Sequence, residues 1–462
     1  MKRQNRVAFF NILSTILLRG ISIFTAPLFS RLLGNSGYGV MSIYTIWTSA
    51  IAIAFPLQTQ GTLVNARVEY DEDGQRRYQS SILSMSILAF AACSAVVLLF
   101  IRPISGLLKL EPFLICMMLV QAFGTFCVSF LSTKYTYEFK AGRNMAISLG
   151  VTLMTLVLSV LFILRLPHET RYIGRVVAIA STYALVGIPA AVLILVQGRT
   201  FYNRNYWKFG LYLALPTVFY SLSDLILGQS DRVMLQQMMS TAMVGQYSLA
   251  LNFGNIMFTI FGALNNTWCP FFFEDMKQGS RENLHKKASN YLELYTVLAM
   301  GFLLLATEVY KGFFAGKEFW DGTQLIPIFV TSFYINFLCT FPVNYEYYHK
   351  KIRVVAVVTI SSSLLNIVLN YLLIQKIGMA GAALATCISH GTQLTMHHIY
   401  SRYIIKGDYP FPVGLWWKYG AVYLVAVAAF YLLPDQGLVR WGFGACLGLW
   451  ELWRIKKRKV LI

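Results

Sequence analysis

The sequence predicts an all-α polytopic membrane protein of about 14 transmembrane helices: two parallel six-helix lobes plus two additional C-terminal helices. Three observations predict it. Hydrophobic residues make up 56% of the chain and charged ones only 13%, with a mean hydropathy of +0.56, too apolar a balance for a soluble chain of 462 residues. Apolar runs of roughly 20 residues recur from end to end, the length a helix needs to cross the hydrocarbon layer at ~1.5 Å per residue. They are continuously apolar rather than alternating, which favours helices over a barrel. Finally, the second half repeats the first at a nearly constant offset, the mark of an internal duplication.

In order, the expected spans are about 8–29, 38–59, 79–101, 111–133, 143–165, 173–197, 209–230, 241–266, 291–313, 322–342, 353–375, 378–401, 413–433 and 437–453. Lys2, Arg3 and Arg6 before the first run resemble a signal peptide, but the run is too long for one and contains Arg19, so it is retained as a span. A cytoplasmic N-terminus puts about 27 Lys and Arg inside against about 11 outside, as the positive-inside rule requires. Both termini then lie in the cytoplasm, Arg454, Lys456, Lys457, Arg458 and Lys459 among the inside charges.

The net charge of +19 is spread over short clusters between apolar segments, so it reads as topology and contact with anionic lipid rather than nucleic-acid binding. The inside clusters are Arg67, Arg76 and Arg77; Lys134, Lys140 and Arg143; Arg199, Arg204 and Lys208; Lys277, Arg281, Lys286 and Lys287; and Lys350, Lys351 and Arg353. One outside loop, with Arg165, His168, Arg171 and Arg175, breaks the pattern, as a basic rim or as a tolerated exception. The seven cysteines lack C-x-x-C spacing and read as structural thiols.

The duplication is visible in particular residues. Phe9 to Phe29 carries Asn11, Thr15, Arg19 and Ser22 on one helical stripe, and about 206 residues later Leu211 to Ser230 carries Thr217, Ser221, Asp224 and Gly228, with Asp231 just beyond. Gly39 and Ser42 match Gly245 and Ser248; Tyr137-Glu138-Phe139 matches Tyr345-Glu346-Tyr347; Gly174 to Ala178 matches Gly381 to Ala385. Six spans map onto six, and because six is even both copies enter the membrane in the same direction. The domains expected are 1–200 and 201–405 for the two lobes, and 406–462 for two further helices and a basic tail.

Charged groups at membrane depth are costly, by roughly 2.5 kcal/mol or more on insertion scales, and mark function or a partner. Arg19 offers a planar guanidinium that either grips a phosphate bidentately or pairs with Asp224. Asp224 either binds a coupling cation or proton or compensates Arg19, while Asp231 and Arg232 read as a loop salt bridge near the outer surface. Ser248, Asn252, Asn255, Thr259, Gly262 and Asn266 make a wet stripe suited to sugar hydroxyls or to interhelical hydrogen bonds. Ser362, Asn366 and Asn370, with Thr386, His390, Gln393 and His397, read as glue within the second lobe. Glu293 and Glu308 are placed near opposite ends of one helix, within reach of water. Pro27, Pro56, Pro189 and Pro216 interrupt spans and offer bends. There is no Walker loop, HExxH or G-x-S-x-G, so neither an enzyme, a cofactor, a metal nor ATP-driven pumping is expected.

The run Val343-Asn344-Tyr345-Glu346-Tyr347-Tyr348-His349-Lys350-Lys351, the stretches Leu365-Asn366 to Asn370-Tyr371-Leu372-Leu373-Ile374 and Gly378 to Thr386, and Leu227-Gly228-Gln229-Ser230-Asp231-Arg232 resemble the Wzx-like polysaccharide transporters of the multidrug/oligosaccharidyl-lipid/polysaccharide (MOP) exporter superfamily. The resemblance covers essentially the whole chain. It implies a MATE-like fold of two lobes around a central cavity, and a flippase that moves undecaprenyl-diphosphate-linked oligosaccharide across the bacterial cytoplasmic membrane by alternating access, for O-antigen, capsule or exopolysaccharide synthesis. On that resemblance Arg19 attracts the diphosphate, Asn11, Thr15, Thr217, Ser221, Asn252 and Asn255 meet the glycan, and Asp224, with Asp231, couples an ion gradient. The partners implied are the lipid-linked substrate, membrane lipid, and the polysaccharide polymerase and glycosyltransferases of the same pathway.

Lipid II flippases carry several cavity arginines where this chain has one intramembrane arginine, so lipid II transport is the second reading. A cation-coupled drug exporter of the same superfamily, using Asp224 with Trp47, Tyr220 and Phe253, is the third. A membrane glycan polymerase or ligase is disfavoured, since no outside loop exceeds about a dozen residues.

Overall fold

The computed structural model describes residues 3–279, 281–405, 409–411 and 413–458, the side chains of 3–6, 8, 12, 16, 227, 413 and 458 excepted. Lys2 and Lys459, and the side chains of Arg3, Arg6 and Arg458, therefore lie outside the described residues. Among the described residues the α-helices are α1 Arg3–Ala54, α2 Leu63–Glu69, α3 Glu72–Leu99, α4 Ile101–Leu108, α5 Pro112–Tyr137, α6 Ala141–Leu164, α7 Arg171–Gly198, α8 Arg204–Met238, α9 Thr241–Gln278, α10 Arg281–Val309, α11 Ile326–Tyr348, α12 Ile352–Ile399, α13 Val413–Leu432 and α14 Gly437–Arg458.

Helices α1 and α12, of 52 and 48 residues, would run about 78 and 72 Å if straight, more than twice the thickness of a hydrocarbon core. Each is broken near its middle. Gly34 sits at φ 70°, ψ 173°, and Ile377 and Gly378 leave helical geometry together, with Gly378 at φ 58°. Such angles carry a steric cost for a residue with a Cβ, and glycine removes it. Each long helix is thus two spans joined at a glycine. Among the described residues eleven helical stretches are long and apolar enough to cross a membrane, α1 and α12 among them. With those two divided and α14 added, a helix stands for each of the fourteen expected spans.

Local signals set several boundaries. Asp71 caps α3 by accepting from the Gly74 amide at 2.9 Å, and Ser240 caps α9 from Met243 at 3.4 Å. Pro112 occupies the opening turn of α5, where its missing N–H costs nothing. Pro27, Pro189 and Pro216 lie inside α1, α7 and α8 as expected. Pro56 does not interrupt a helix: it follows α1 in a turn where Leu57 and Gln58 both take positive φ.

The chain divides into two compact units, Met1–Gln237 and Met238–Ile462. The division falls one helix later than the repeat boundary near residue 200, because α8 is held to the first unit at both ends. The Trp207 indole donates to the Ser81 carbonyl at 3.0 Å. Gln236 and Gln237 donate to the Leu108 and Leu107 carbonyls at 3.0 and 2.9 Å.

In the first unit α5 and α7 meet backbone to backbone at Gly124 and Gly187: a Cβ on Gly187 would lie 2.6 Å from the Gly124 carbonyl oxygen. Tyr78, Ile82, Phe126, Phe130 and Ile194 fill the core beside them. The second unit is held by rings, with Trp268 stacked on Tyr291 at 4.9 Å and Tyr334 on Tyr423 at 4.3 Å.

Some local geometry recurs in the two units. Helices α5 and α11 end alike, on a residue in the left-handed region, Phe139 at φ 56° and Lys350 at φ 59°. The next amides, of Lys140 and Lys351, close a 2.8 Å bond to the carbonyls of Tyr135 and Glu346, five residues back in each case. Gly174 and Gly381 each press a helix onto the backbone of the preceding one, at Phe162 and Leu373.

Candidate functional site

The amphipathic stripe of α1 presents Asn11, Thr15 and Arg19 at the surface. Thr15 spends its hydroxyl hydrogen on the Asn11 carbonyl at 2.9 Å, which keeps both its oxygen lone pairs outward. On α8, Thr217 donates to the Ala214 carbonyl at 2.7 Å and is exposed, Ser221 is half-buried and Asp224 is exposed. On α9, in the second unit, Asn252 and Asn255 are half-buried, and a Cβ on Gly262 would meet nothing within 4 Å.

Among the described residues the side chains of Asn11, Arg19, Ser221, Asp224 and Asn255 have no protein hydrogen bond or ion pair. Arg19 and Asp224 belong to the same unit but do not pair, so of the two readings open to Arg19 the structural one is not realised. Asp231 behaves differently. Helix α8 continues to Met238, so Asp231 and Arg232 are helical rather than a loop pair; Asp231 is buried and accepts from the Arg232 amide at 2.8 Å. Phe253, considered for a drug pocket, is 2% exposed and ringed by Phe302, Tyr310 and Phe314, so it is core.

The glue reading of α12 is realised in bonds. Asn366 donates to the Thr386 hydroxyl at 3.3 Å across the break at Gly378, His390 meets Ser332 at 2.7 Å, and His397 meets both oxygens of Glu346 at 3.0 Å with both residues fully buried. The basic segment expected outside is structural as well: Arg171 donates to the Leu32 carbonyl at 3.2 Å and Arg175 stacks 3.7 Å from the Phe29 ring centroid, both just before the Gly34 break.

Sequence reasoning missed the buried charges that fasten α14 to α10. Glu293 was expected near water and Arg454 in a cytoplasmic tail, but both are buried, with Arg454 donating to Glu293 at 3.1 Å and Asn290 at 3.3 Å and gripping Glu451. At the other end Arg440, fully buried, holds Glu308 and donates to Thr307 at 2.8 Å. A signal existed. Glu293 and Glu308 lie about four helical turns apart, as do Arg440 and Arg454, so two antiparallel helices match them charge for charge. Among the described residues no group of three or more His, Cys, Asp or Glu side chains is placed to hold a metal ion.

The chain is a set of helices of membrane-crossing length that carry polar stripes on otherwise apolar faces. Its fold is that of a lipid II flippase, MurJ, in an inward closed conformation, at TM-score 0.66 and 14% identity over 96% of this chain and 97% of that one. It is also that of an inward-facing multidrug resistance MATE family transporter of the MOP superfamily, at TM-score 0.62 and 15% identity over 85% and 94%.

The chain belongs to the polysaccharide biosynthesis protein family, which it matches over residues 6–276. Two relatives come from Haemophilus influenzae. The Lsg locus putative protein 1 is 21% identical over 73% of this chain and 83% of its own length. An uncharacterized membrane protein is 27% identical over 30% of this chain, a match spanning about a third of that relative. The protein is thus a multi-pass membrane protein of the polysaccharide biosynthesis protein family whose fold is shared by solved transporters.

Proposed function

We propose that the protein flips undecaprenyl-diphosphate-linked oligosaccharide from the cytoplasmic to the outer leaflet of a bacterial cytoplasmic membrane, supplying surface polysaccharide synthesis. One observation carries the reading: Arg19, at the middle of the first span, is exposed and has no acidic partner among the described residues. A guanidinium held against acyl chains costs roughly 2.5 kcal/mol or more, so its place is a hydrated path, where its fork matches a phosphate bidentately. Asn11, Thr15, Thr217, Ser221, Asn252 and Asn255 then serve the glycan as hydroxyl and amide partners. Asp224, open where Asp231 is enclosed, is the better placed of the two to take up a coupling cation or proton. The lipid tail stays in the bilayer while alternating access carries the head group across.

The test is Arg19→Ala with accumulation in the membrane verified. Surface glycan is expected to disappear while drug tolerance is unchanged. Lost drug tolerance with normal glycan would make the chain an exporter, and rescue of a lipid II flippase deficiency by the wild-type chain would make lipid II the cargo.

A further inference from the structure

Three of the basic clusters read from the sequence as topology signals converge in space. The ends of α3, α5, α6 and α7 that carry them enclose a cleft of about 480 Å³, into which Arg76, Lys134, Lys140, Arg143 and Arg199 are brought with a single carboxylate, Glu138. The cleft is built, not merely crowded. Gly198 lets the end of α7 touch the Arg76 carbonyl on α3, and Ser80 bridges the same junction, donating to the Leu195 carbonyl and accepting from the Thr200 amide, each at 3.3 Å. Arg199 then turns out of α7 at φ 47°, beside Arg76.

Lys134 is the floor. Its side chain is only 5% exposed, and its ammonium donates to the Gln197 side-chain oxygen at 2.6 Å, with Glu138 no nearer than 4.0 Å. Glu138 is taken by Lys140 at 2.5 Å. Among the described residues Arg76, Arg143 and Arg199 have no acidic partner. Five cations thus share one anion, which like-charge repulsion disfavours unless a counter-anion is bound.

The other copy of the repeat shows that topology does not impose this. A smaller cleft of about 200 Å³ lies in the second unit, lined in part by Leu284 and Tyr348, 208 residues after Arg76 and Lys140 in the chain. It holds Asp275 with Arg281, and its His349 is kept below the usual imidazole range by burial first and by the Lys351 ammonium second, so His349 is neutral at pH 7. Among the described lining residues the second-unit cleft sets one carboxylate against one guanidinium, whereas the first-unit cleft concentrates positive charge. We propose that the cleft of the first unit is a binding site for a phosphate group, supplied by an anionic lipid head group or by a soluble phosphate. The inference is independent of the cargo assigned to Arg19.

The full chain, purified in uncharged detergent, is titrated with inorganic pyrophosphate by calorimetry; in a second arm, native mass spectrometry compares retention of phosphatidylglycerol with that of phosphatidylcholine. Saturable pyrophosphate binding assigns a soluble ligand, and preferential phosphatidylglycerol retention assigns a head group; either upholds the site. Arg76→Gln with Arg143→Gln and Arg199→Gln, all exposed positions, is expected to weaken the response about tenfold or more. Lys277→Gln with Lys350→Gln and Arg353→Gln removes equal charge from the second unit and is expected to leave the response unchanged. Should the triple variant fail to fold, Arg199→Gln alone is expected to weaken binding about threefold. No response in either arm, or equal losses in the two triple variants, overturns the proposal.

Discussion

Arg19 and Arg454 are both arginines on apolar helices, and their surroundings give them opposite roles. Arg454 is 2% exposed and hydrogen-bonded to Glu451, Glu293 and Asn290, so it is a fastening. Arg454→Met leaves Glu293 and Glu451 buried without their cation and is expected to cost about 3–5 kcal/mol, read as a lowered melting temperature in detergent. Arg19 is exposed and, among the described residues, unpaired, so Arg19→Ala is expected to leave melting within about 0.5 kcal/mol of wild type while abolishing export. Arg19→Lys keeps the charge and loses the planar fork. Partial glycan export is expected from it, and full export would count against bidentate capture of a phosphate. The contrast was half legible: residue type and depth mark both arginines as special, but only a partner's position tells a fastening from an open cation.

At the scale of elements, glycine decides where backbones can touch. Gly187 on α7 lies against Gly124 on α5, so Gly187→Ala places a methyl 2.6 Å from a carbonyl oxygen that belongs to a packed helix. A loss of about 1–3 kcal/mol is expected in thermal melts. Gly20→Ala, where nothing lies within 4 Å, serves as the control and is expected to be neutral or slightly stabilising. Spans were readable because their length and apolarity are set by the bilayer, which each helix meets alone. The buried charges between α10 and α14 were not, although the four-turn spacing of Glu293 with Glu308 and of Arg440 with Arg454 is present in the chain. Spacing on one helix has no meaning until a second helix is known to lie beside it.

For the whole molecule, the repeat and the charge bias predict both termini in the cytoplasm. A green fluorescent protein fused after Ile462 is expected to fluoresce, and alkaline phosphatase inserted after Glu169 to be active; the reverse pattern would invert the orientation. Composition, span length and the recurrence of residues such as Tyr137-Glu138 and Tyr345-Glu346 were enough to read a membrane protein with an internal repeat, because burial in lipid and gene duplication write themselves into hydropathy and period; the transporter reading came from the resemblance to a family. Which of its many polar side chains are spent on holding helices together, and which are left open to a ligand, was decided only by packing. A polar group's role depends on what lies within about 3 Å of it, and in this fold those neighbours come from helices distant in the chain, as with Arg454 and Glu293 or Lys134 and Gln197.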